Sequence, residues 1–553
     1  MFQASRGSRA VILPVAAFTA LILLAWASSA RGAMYESWAQ DIFVPLEGVI
    51  HLKHGQLPHL DFGTPVGCLY YFIQYLPTLI APLSARTAIW SNLIVAVVAF
   101  SFTARIAYGR LPAWLAAVTS LYTGLVALST RQLGEKLIIV TNNASYNRWS
   151  WAILAVSALL LALPHPRATQ RTTVIEGSVV GLLLAALFMI KITYFVAGVG
   201  LLILALVTVR RTTPFRFGAA AAIVLIVVLA SVQISTGMIS AYLAEMRATV
   251  AVQPTKLRLA SAFNLALAFA PGGLVVVLLA LWAPRRPSKR WSTLSPILLA
   301  LAIFAMGWAV AIQNHPEPEN PMLPIAALVA WYGGRSFDDD ETGTTLVPDS
   351  DGQLLVLLRR LASPLVIIGV FLIPMVQDIG TLAWTARGAT IADPKLAWLQ
   401  STPMRDLRIM ATPWRTEQST SPNAFDNDVQ YLESLGEGVS LLRSHIGKRH
   451  DVTVLPLTWN NPWPTLLGLR PVRHELAWWH DGRTFNSQIH PDAAQLLGAI
   501  DYVFVPNRYY MYDTTIAMSA IYSQNLRRDF HPVGKTGNWT LYARNNCAGR
   551  ALC

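Results

Sequence analysis

The chain has 553 residues, of which 54% are hydrophobic and only 13% are charged, against about 25% charged residues in an ordinary soluble protein. Its mean hydropathy is +0.44. A water-soluble fold of this length needs far more surface charge, so the composition excludes a soluble enzyme, a disordered chain and a fibrous repeat. It predicts a polytopic α-helical membrane protein.

The formal net charge is +13. In a soluble domain such an excess of Lys and Arg indicates nucleic-acid binding, but in a membrane protein it is typical of cytoplasmic loops. We therefore predict no nucleic-acid partner. Three cysteines are too few for a disulfide framework. Cys547 and Cys553 are close enough in sequence to pair in an oxidising compartment, while Cys68 stands alone in an apolar stretch.

Stretches long enough and apolar enough to cross a bilayer recur along the chain. The sequence predicts eleven spans, at residues 11–30, 87–104, 111–129, 149–164, 177–190, 192–209, 217–240, 259–283, 291–313, 320–334 and 361–377. The first follows Arg6 and Arg9 and ends in small residues, so a cleavable signal peptide is an alternative for it. Lys191 separates two stretches that would otherwise form one long segment.

A further apolar stretch, 62–85, decides on which side everything after it lies. If it does not cross and the N-terminus is inside, the cytoplasmic loops carry more Lys and Arg than the outer loops; if it crosses, the excess lies outside. The positive-inside rule favours the first arrangement. Pro65, Pro77 and Pro82 also suit a bent segment at the membrane surface. We therefore predict a re-entrant or interfacial helix at the outer face.

The composition changes after residue 377, and no further span follows. We predict a transmembrane domain at 1–380, with outer loops at 31–86 and 129–148, and an extracytoplasmic, periplasmic α/β domain at 381–553. The expected elements of that domain are a helix at 427–446, strands at 451–457, 501–506 and 539–544, and a short helix at 493–499. The first two strands should be adjacent and parallel, with the short helix in their crossover.

The first outer loop carries four carboxylates and three histidines: Glu36, Asp41, Glu47, Asp61, His51, His54 and His59. A carboxylate beside a bent apolar helix at the membrane surface can act as a general base or hold a divalent metal. Caps and turns of a solvated loop explain each of these residues singly. His51 and His54 share a helical face, but no third ligand follows at a defined spacing, so the sequence does not predict a zinc site.

The order of features in this loop is more informative than its single residues. Asp41 follows the first span, then come the turn Gly55-Gln-Leu-Pro58 and the helix entry Pro65-Val-Gly-Cys-Leu-Tyr-Tyr71. This arrangement resembles the first outer loop of the type-C (GT-C) glycosyltransferases, which include oligosaccharyltransferases, protein O-mannosyltransferases and aminoarabinose transferases. Ile42 stands where many members have a second acid, and Cys68 replaces the usual proline.

The resemblance implies a GT-C-like fold of about 11 transmembrane helices. It also implies an inverting glycosyltransferase, which moves a sugar from a polyprenyl-phosphate carrier to a glycan, lipid or protein acceptor at the outer face of a bacterial inner membrane. Asp41 would be the catalytic acid, either as the base or as a ligand of a divalent cation such as Mg or Mn. The alternatives are a transporter or flippase for lipid-linked glycans, and a non-catalytic envelope-biogenesis protein.

Candidate substrate-binding residues lie in several loops: Glu47, Asp61, Lys191, Arg148, Asn142, Tyr146, Asn147, His315 and Glu317. Lys191, between two spans, can pair with a phosphate, although snorkelling to the interface explains it equally well. The polar run 141–147 can bind a sugar or form a plain turn, and the Pro-rich loop 314–320 can line a cleft or simply turn. The tryptophan-rich stretch 459–481 can stack on sugars or fill a small core.

Overall fold

The computed structural model describes residues 14–23, 25–26, 33–35, 39–141, 145–209, 211, 213–252, 259–282, 290–314, 319–332, 350–388, 393–409, 423–425, 427–509 and 511–545. Up to residue 388 the elements are α1 (Pro14–Leu23), β1 (Ala33–Tyr35), α2 (Phe43–Lys53), α3 (Cys68–Tyr75), α4 (Thr87–Ala107), α5 (Ala113–Leu128), α6 (Ser145–Ala162), α7 (Gln170–Ile190), α8 (Ile192–Thr208), α9 (Pro214–Thr236), α10 (Met238–Val252), α11 (Leu259–Trp282), α12 (Arg290–Asn314), α13 (Leu323–Tyr332) and α14 (Ser350–Gly388).

The chain is a polytopic α-helical membrane protein. Within the described ranges, six helices have the length and apolar composition to cross a membrane: α4, α7, α9, α11, α12 and α14. Four shorter apolar helices, α1, α5, α8 and α13, accompany them. Each of the eleven predicted stretches contains a helix. Lys191 has an extended backbone and separates α7 from α8, as its place in the sequence predicts.

The stretch 62–85 does not form a spanning helix, which confirms the prediction. Its only α-helix in the described structure, α3, has 8 residues and reaches about 12 Å, far less than the roughly 30 Å of a hydrocarbon core. A 3₁₀ turn, Leu76–Leu79, follows it. The large apolar side chains at this turn are exposed, 62% for Leu79 and 89% for Ile80.

Two glycines allow α7 to lie directly against α9. A Cβ on Gly177 would overlap the carbonyl oxygen of Phe217, and one on Gly181 would overlap that of Ala221. Glycines four residues apart lie on one face of a helix and let two backbones approach closely, as is common between membrane helices. The sequence prediction extended this span to residue 240, but α9 ends at Thr236, where Gly237 adopts a left-handed conformation (φ 78°) before α10 begins.

The C-terminal region is an α/β unit. Its elements are β2 (Leu407–Ile409), α15 (Asp428–Ile446), β3 (Val454–Pro456), α16 (Trp463–Leu467), α17 (Ala493–Leu497), β4 (Tyr502–Pro506), α18 (Tyr512–Asp529), β5 (Phe530–Lys535) and β6 (Trp539–Arg544). The sheet order is β3-β4-β6-β5. Strands β3 and β4 are parallel neighbours, and α17 lies between them in the chain, as predicted. Helix α18 and strand β5 were not predicted from the sequence.

The first loop and the C-terminal region share one hydrophobic core. Phe43 and Leu46 of α2 are fully buried and pack with Tyr431, Trp463 and Trp539. Strand β1 also pairs in parallel with β2. Because the two parts are joined by buried apolar surface, α2 is held by the C-terminal region as well as by its sequence neighbour α3. The last membrane helix, α14, continues to Gly388, beyond the boundary predicted at 380.

Candidate active site

Asp41 lies on a 3₁₀ turn, Ala39–Ile42, immediately before α2. The C-terminal region fixes this turn at two points. The Ala39 amide donates a hydrogen bond to Asp428 Oδ1 at 2.7 Å, and the Asn460 side-chain amide donates to the Gln40 carbonyl. The Asp41 side chain is half-buried. The turn therefore presents the predicted catalytic carboxylate from a fixed position at the junction of the two regions.

Three buried tyrosines lie close enough to Asp41 to be affected by its charge. Burial raises the pKa of Tyr70, Tyr431 and Tyr509, and the negative charge of Asp41 raises each of them further. These phenols therefore stay neutral at physiological pH. Neutral phenols can donate or accept hydrogen bonds without adding charge beside the carboxylate.

Lys191 forms a second polar centre with side chains of α6 and α8. Its ammonium nitrogen donates to Asn147 Oδ1 at 3.4 Å, and Tyr194 donates to the same oxygen at 3.4 Å. The nitrogen also lies 4.5 Å from the centroid of the Tyr146 ring, which is a cation–π distance. Burial and the charge of Arg483 lower the pKa of Lys191 to about 7.

Contacts of α3 bring the two centres together. The Gly67 amide, at the entry to α3, donates to the Ile190 carbonyl at 2.9 Å, one residue before Lys191. A Cβ on Gly67 would overlap the Met189 carbonyl oxygen, so glycine is needed for this contact. The glycine of the Pro-x-Gly-x-Leu-Tyr-Tyr entry thus docks the first loop onto the break between α7 and α8.

Aromatic rings complete this connection. Tyr70, which senses the charge of Asp41, contacts Tyr146 with ring centroids 5.5 Å apart. Tyr146 lies beside Lys191 and stacks on Trp478 at 6.5 Å. Tyr70, on which the charge of Asp41 acts, is therefore connected to the predicted phosphate-side cation by one ring contact and one cation–π contact. Trp478 brings the C-terminal region to the same place.

Arg148 belongs to a buried ion network. Its guanidinium donates to Asp378 Oδ1 at 3.0 Å and to the Arg131 carbonyl at 2.6 Å. Arg131 pairs with the same Asp378 at 3.1 Å and with Glu319 at 2.8 Å. The network joins α6, α14 and two connecting loops. Three other candidates, Asn142, His315 and Glu317, lie outside the described residues.

Asp61 shapes a turn of the first loop. Its Oδ2 accepts a hydrogen bond from the Leu57 amide at 2.8 Å, and its Oδ1 lies 3.8 Å from the guanidinium of Arg473. Nearby, His59 adopts a positive φ of 68°. Its Nδ1 lies 2.5 Å from Glu245 Oε2 of α10. These contacts fix the loop between α2 and α3.

Glu47 is fully buried and belongs to a group of three side chains that the sequence did not predict. His51 lies one helical turn further along α2, and Glu475 comes from the C-terminal region; all three side chains are 0% exposed. Their nearest ligand atoms lie within 4.8 Å of one another, so the group could hold a metal ion. Burial and the charge of Glu475 raise the pKa of Glu47. The two glutamates meet only through the tertiary fold, because they lie far apart in sequence.

Of the predicted aromatic stretch, Trp463 and Trp479 are fully buried and form core. Trp459 and Trp478 are half-buried. Trp459 lies against His480 with ring centroids 4.6 Å apart. Trp478 is the member of this stretch that reaches the Lys191 centre, through Tyr146.

Comparisons with known proteins were made at the level of sequence and of structure. No protein-family model matches the chain, and no curated protein sequence matches it. Among solved structures, the chain is similar to ArnT from Cupriavidus metallidurans bound to undecaprenyl phosphate, with 12% identity, a TM-score of 0.49, and coverage of 96% of this chain and 97% of ArnT.

It is also similar to the archaeal oligosaccharyltransferase AglB from Archaeoglobus fulgidus, in complex with an inhibitory peptide and a dolichol-phosphate. The identity is 13% and the TM-score 0.37, with coverage of 96% of this chain and 74% of AglB. Both are type-C glycosyltransferases, the family that the first-loop motif resembles. At these identities the likeness assigns no role to a residue.

Proposed function

We propose that the protein is a membrane glycosyltransferase that takes a sugar from a polyprenyl-phosphate carrier. The observation that carries the proposal is the link between Asp41 and Lys191, an acid and a cation from separate elements joined by the Tyr70–Tyr146 ring contact. A glycosyl transfer of this kind needs both charges at one site, because an acceptor is deprotonated while an anionic phosphate leaves.

In the proposed reaction, the acceptor hydroxyl or amine gives its proton to the Asp41 carboxylate as it bonds to the anomeric carbon. The bond between that carbon and the phosphate oxygen breaks, and its electron pair remains on the polyprenyl phosphate. The Lys191 ammonium stabilises this added negative charge. A single displacement inverts the anomeric centre. Asn147 holds the Lys191 ammonium in place.

The exposed apolar turn after α3 gives the lipid carrier a place beside this site. Leu79 and Ile80 are largely exposed, and they follow the helix that carries Tyr70. A polyprenyl chain in the outer leaflet can lie along such a surface while its phosphate reaches Lys191. This arrangement supports the outer face of a bacterial inner membrane as the place of reaction, with residues 381–553 periplasmic.

The acceptor class stays open between glycan, lipid and protein. A divalent cation such as Mg or Mn, bound by Asp41, is an alternative use of the same carboxylate, since a metal can orient an acceptor oxygen. Asn142, His315 and Glu317 complete the proposed substrate contacts from their loops, and Arg148, Glu47 and Asp61 would act through the loops that they hold.

The test is a transfer assay with the full chain in liposomes. A sugar linked to polyprenyl phosphate, labelled in the sugar, is supplied on the side of the C-terminal region with glycan, lipid and peptide acceptors in turn. We expect D41N and K191M to lose transfer and to fold normally. D451N and K448M, which change exposed residues of the same types, are matched controls and should keep it.

Two results would overturn the proposal. One is full transfer by D41N and K191M. The other is movement of an intact lipid-linked sugar across the bilayer, with no release of polyprenyl phosphate for any acceptor, which identifies a flippase instead.

A further inference from the structure

The buried group of Glu47, His51 and Glu475 connects the two regions of the chain. Glu47 and His51 lie on α2, and Glu475 lies 424 residues after His51 in sequence, yet its Oε1 is 3.4 Å from His51 Nε2. The adjacent backbones are tied as well, because the Gly63 amide donates to the Glu475 carbonyl at 2.8 Å. All three side chains are shielded completely from solvent.

Hydrogen bonds define which nitrogen of His51 carries a proton. The Gln56 side-chain nitrogen donates to the Pro471 carbonyl at 3.3 Å, which turns Gln56 Oε1 toward His51 Nδ1 at 2.5 Å. A carbonyl oxygen can only accept, so Nδ1 carries the proton. In the neutral ring, Nε2 then presents its lone pair, the state in which a histidine binds metals.

That lone pair faces two carboxylates. Glu475 Oε1 is 3.4 Å and Glu47 Oε1 is 3.9 Å from His51 Nε2. Among the described residues, neither Glu47 Oε1 nor His51 Nε2 has a hydrogen-bond partner. Buried acceptors that point at one another repel and are costly to desolvate. A cation between them removes both penalties.

Backbone and side-chain donors around the group form hydrogen bonds with both carboxylates. The Asn461 amide donates to Glu47 Oε2 at 3.2 Å, and the Asn461 side chain donates to Glu475 Oε2 at 3.1 Å. The Val472 amide donates to Glu475 Oε1 at 3.2 Å. These donors orient both carboxylates, as the outer contacts of a metal site do.

The separations from His51 also fit a shared ion better than a direct hydrogen bond with its ring. Two ligands on a tetrahedral ion, each about 2.0–2.1 Å from it, lie about 3.4 Å apart. A direct N–H···O hydrogen bond would bring the atoms to about 2.7–3.2 Å. The distance of 3.4 Å from His51 Nε2 to Glu475 Oε1 is that of co-ligands, and the 3.9 Å to Glu47 Oε1 is about 0.5 Å longer.

We infer that Glu47, His51 and Glu475 bind one divalent transition-metal ion of the zinc class. One imidazole and two carboxylates form a donor set that suits this class, and its double charge neutralises both glutamates. Complete burial makes the role structural: the ion fastens α2 to the C-terminal region. Asp41 lies on the turn that leads into α2, so the ion also fixes the position of that carboxylate.

The experiment measures metal content and thermal stability of the purified full chain, independently of any transfer activity. After purification without chelator and dialysis against trace Zn²⁺, elemental analysis should find about one zinc per chain. EDTA should lower the Tm by several degrees; Zn²⁺ should restore it and Mg²⁺ should not. H51Q should bind no zinc, whereas H54Q, which changes an exposed histidine three residues further along the chain, should bind it fully.

A double variant guards against misfolding. E47Q/E475Q keeps the shape of both side chains and removes both charges, so it should fold, lack the metal and show no response to EDTA. Co²⁺ added to the metal-free wild-type protein should give the visible absorption bands of a nitrogen- and oxygen-ligated ion, without recourse to any variant. A wild-type chain that holds no zinc, gives no cobalt spectrum and keeps its Tm in EDTA overturns the inference and identifies a proton-sharing cluster. Zinc retained by H51Q overturns it too.

Discussion

Lys191 should give the transfer reaction a pH dependence that its replacement by arginine removes. Burial and the charge of Arg483 lower the pKa of Lys191 to about 7. The ammonium also contacts the side chains of Tyr146 and Asn147. In the free protein the charged fraction of Lys191 therefore falls from about nine-tenths at pH 6 to about one-tenth at pH 8.

If the charged form binds the phosphate, kcat/KM for the lipid-linked donor should fall about tenfold over this range. The pKa read from the pH profile of kcat should be higher than that from kcat/KM, because the bound phosphate favours the charged ammonium form of Lys191. K191R stays charged throughout, since the guanidinium pKa lies far above this range, and its pH profile should lack this step. K191M should lose about 10²–10³-fold at pH 6, as expected for one lost stabilising group.

The assay is the initial rate of donor cleavage at limiting donor, measured from pH 5.5 to 8.5 at constant ionic strength. K448M, with its exposed lysine changed, is the control. A tenfold fall that persists unchanged in K191R would refute the assignment of the titration to Lys191. A K191M variant with wild-type kcat/KM at pH 6 would refute its role toward phosphate.

Three further variants test other parts of the structure. D378N leaves two buried guanidinium groups without their shared partner and should cost about 3–5 kcal/mol of stability, seen as a lower Tm; an unchanged Tm contradicts this. F43A empties a fully buried position in the shared core and should cost about 3–5 kcal/mol, with faster proteolysis of the C-terminal region as the measure. G67A places a Cβ against the Met189 carbonyl and should lower the transfer rate while the protein still folds with a Tm close to that of the wild type. A loss of transfer that is accompanied by a large drop in Tm would argue for a purely structural glycine.

The membrane part of the fold follows closely from sequence. Apolar stretches predict the helices because hydrocarbon tolerates few charges over about 20 residues. Lys191 marks the break between α7 and α8 for the same reason. Prolines and loop charge also identify 62–85 as non-spanning. Helix α10 was not predicted, since its mixed composition resembles neither a span nor a soluble amphipathic helix.

The site is less predictable, because its parts meet only through tertiary packing. Asp41 and Lys191 are recognisable singly, but the ring contact between Tyr70 and Tyr146 that connects them has no sequence signal. Glu475 lies in an irregular loop that is far from α2 in sequence, so the spacing rules that detect metal sites within one segment cannot find it. Short strands such as β1 and β2 likewise form only when distant segments pair.

The most direct test of the central claim is an experimental structure of the full chain in a lipid nanodisc with a polyprenyl phosphate bound. We predict that the phosphate lies within hydrogen-bond distance of the Lys191 ammonium, with the lipid chain along the turn that bears Leu79 and Ile80. The Asp41 carboxylate should face the phosphate across a gap the width of one sugar ring. A phosphate bound away from Lys191, with Asp41 closed off from it, would contradict the account.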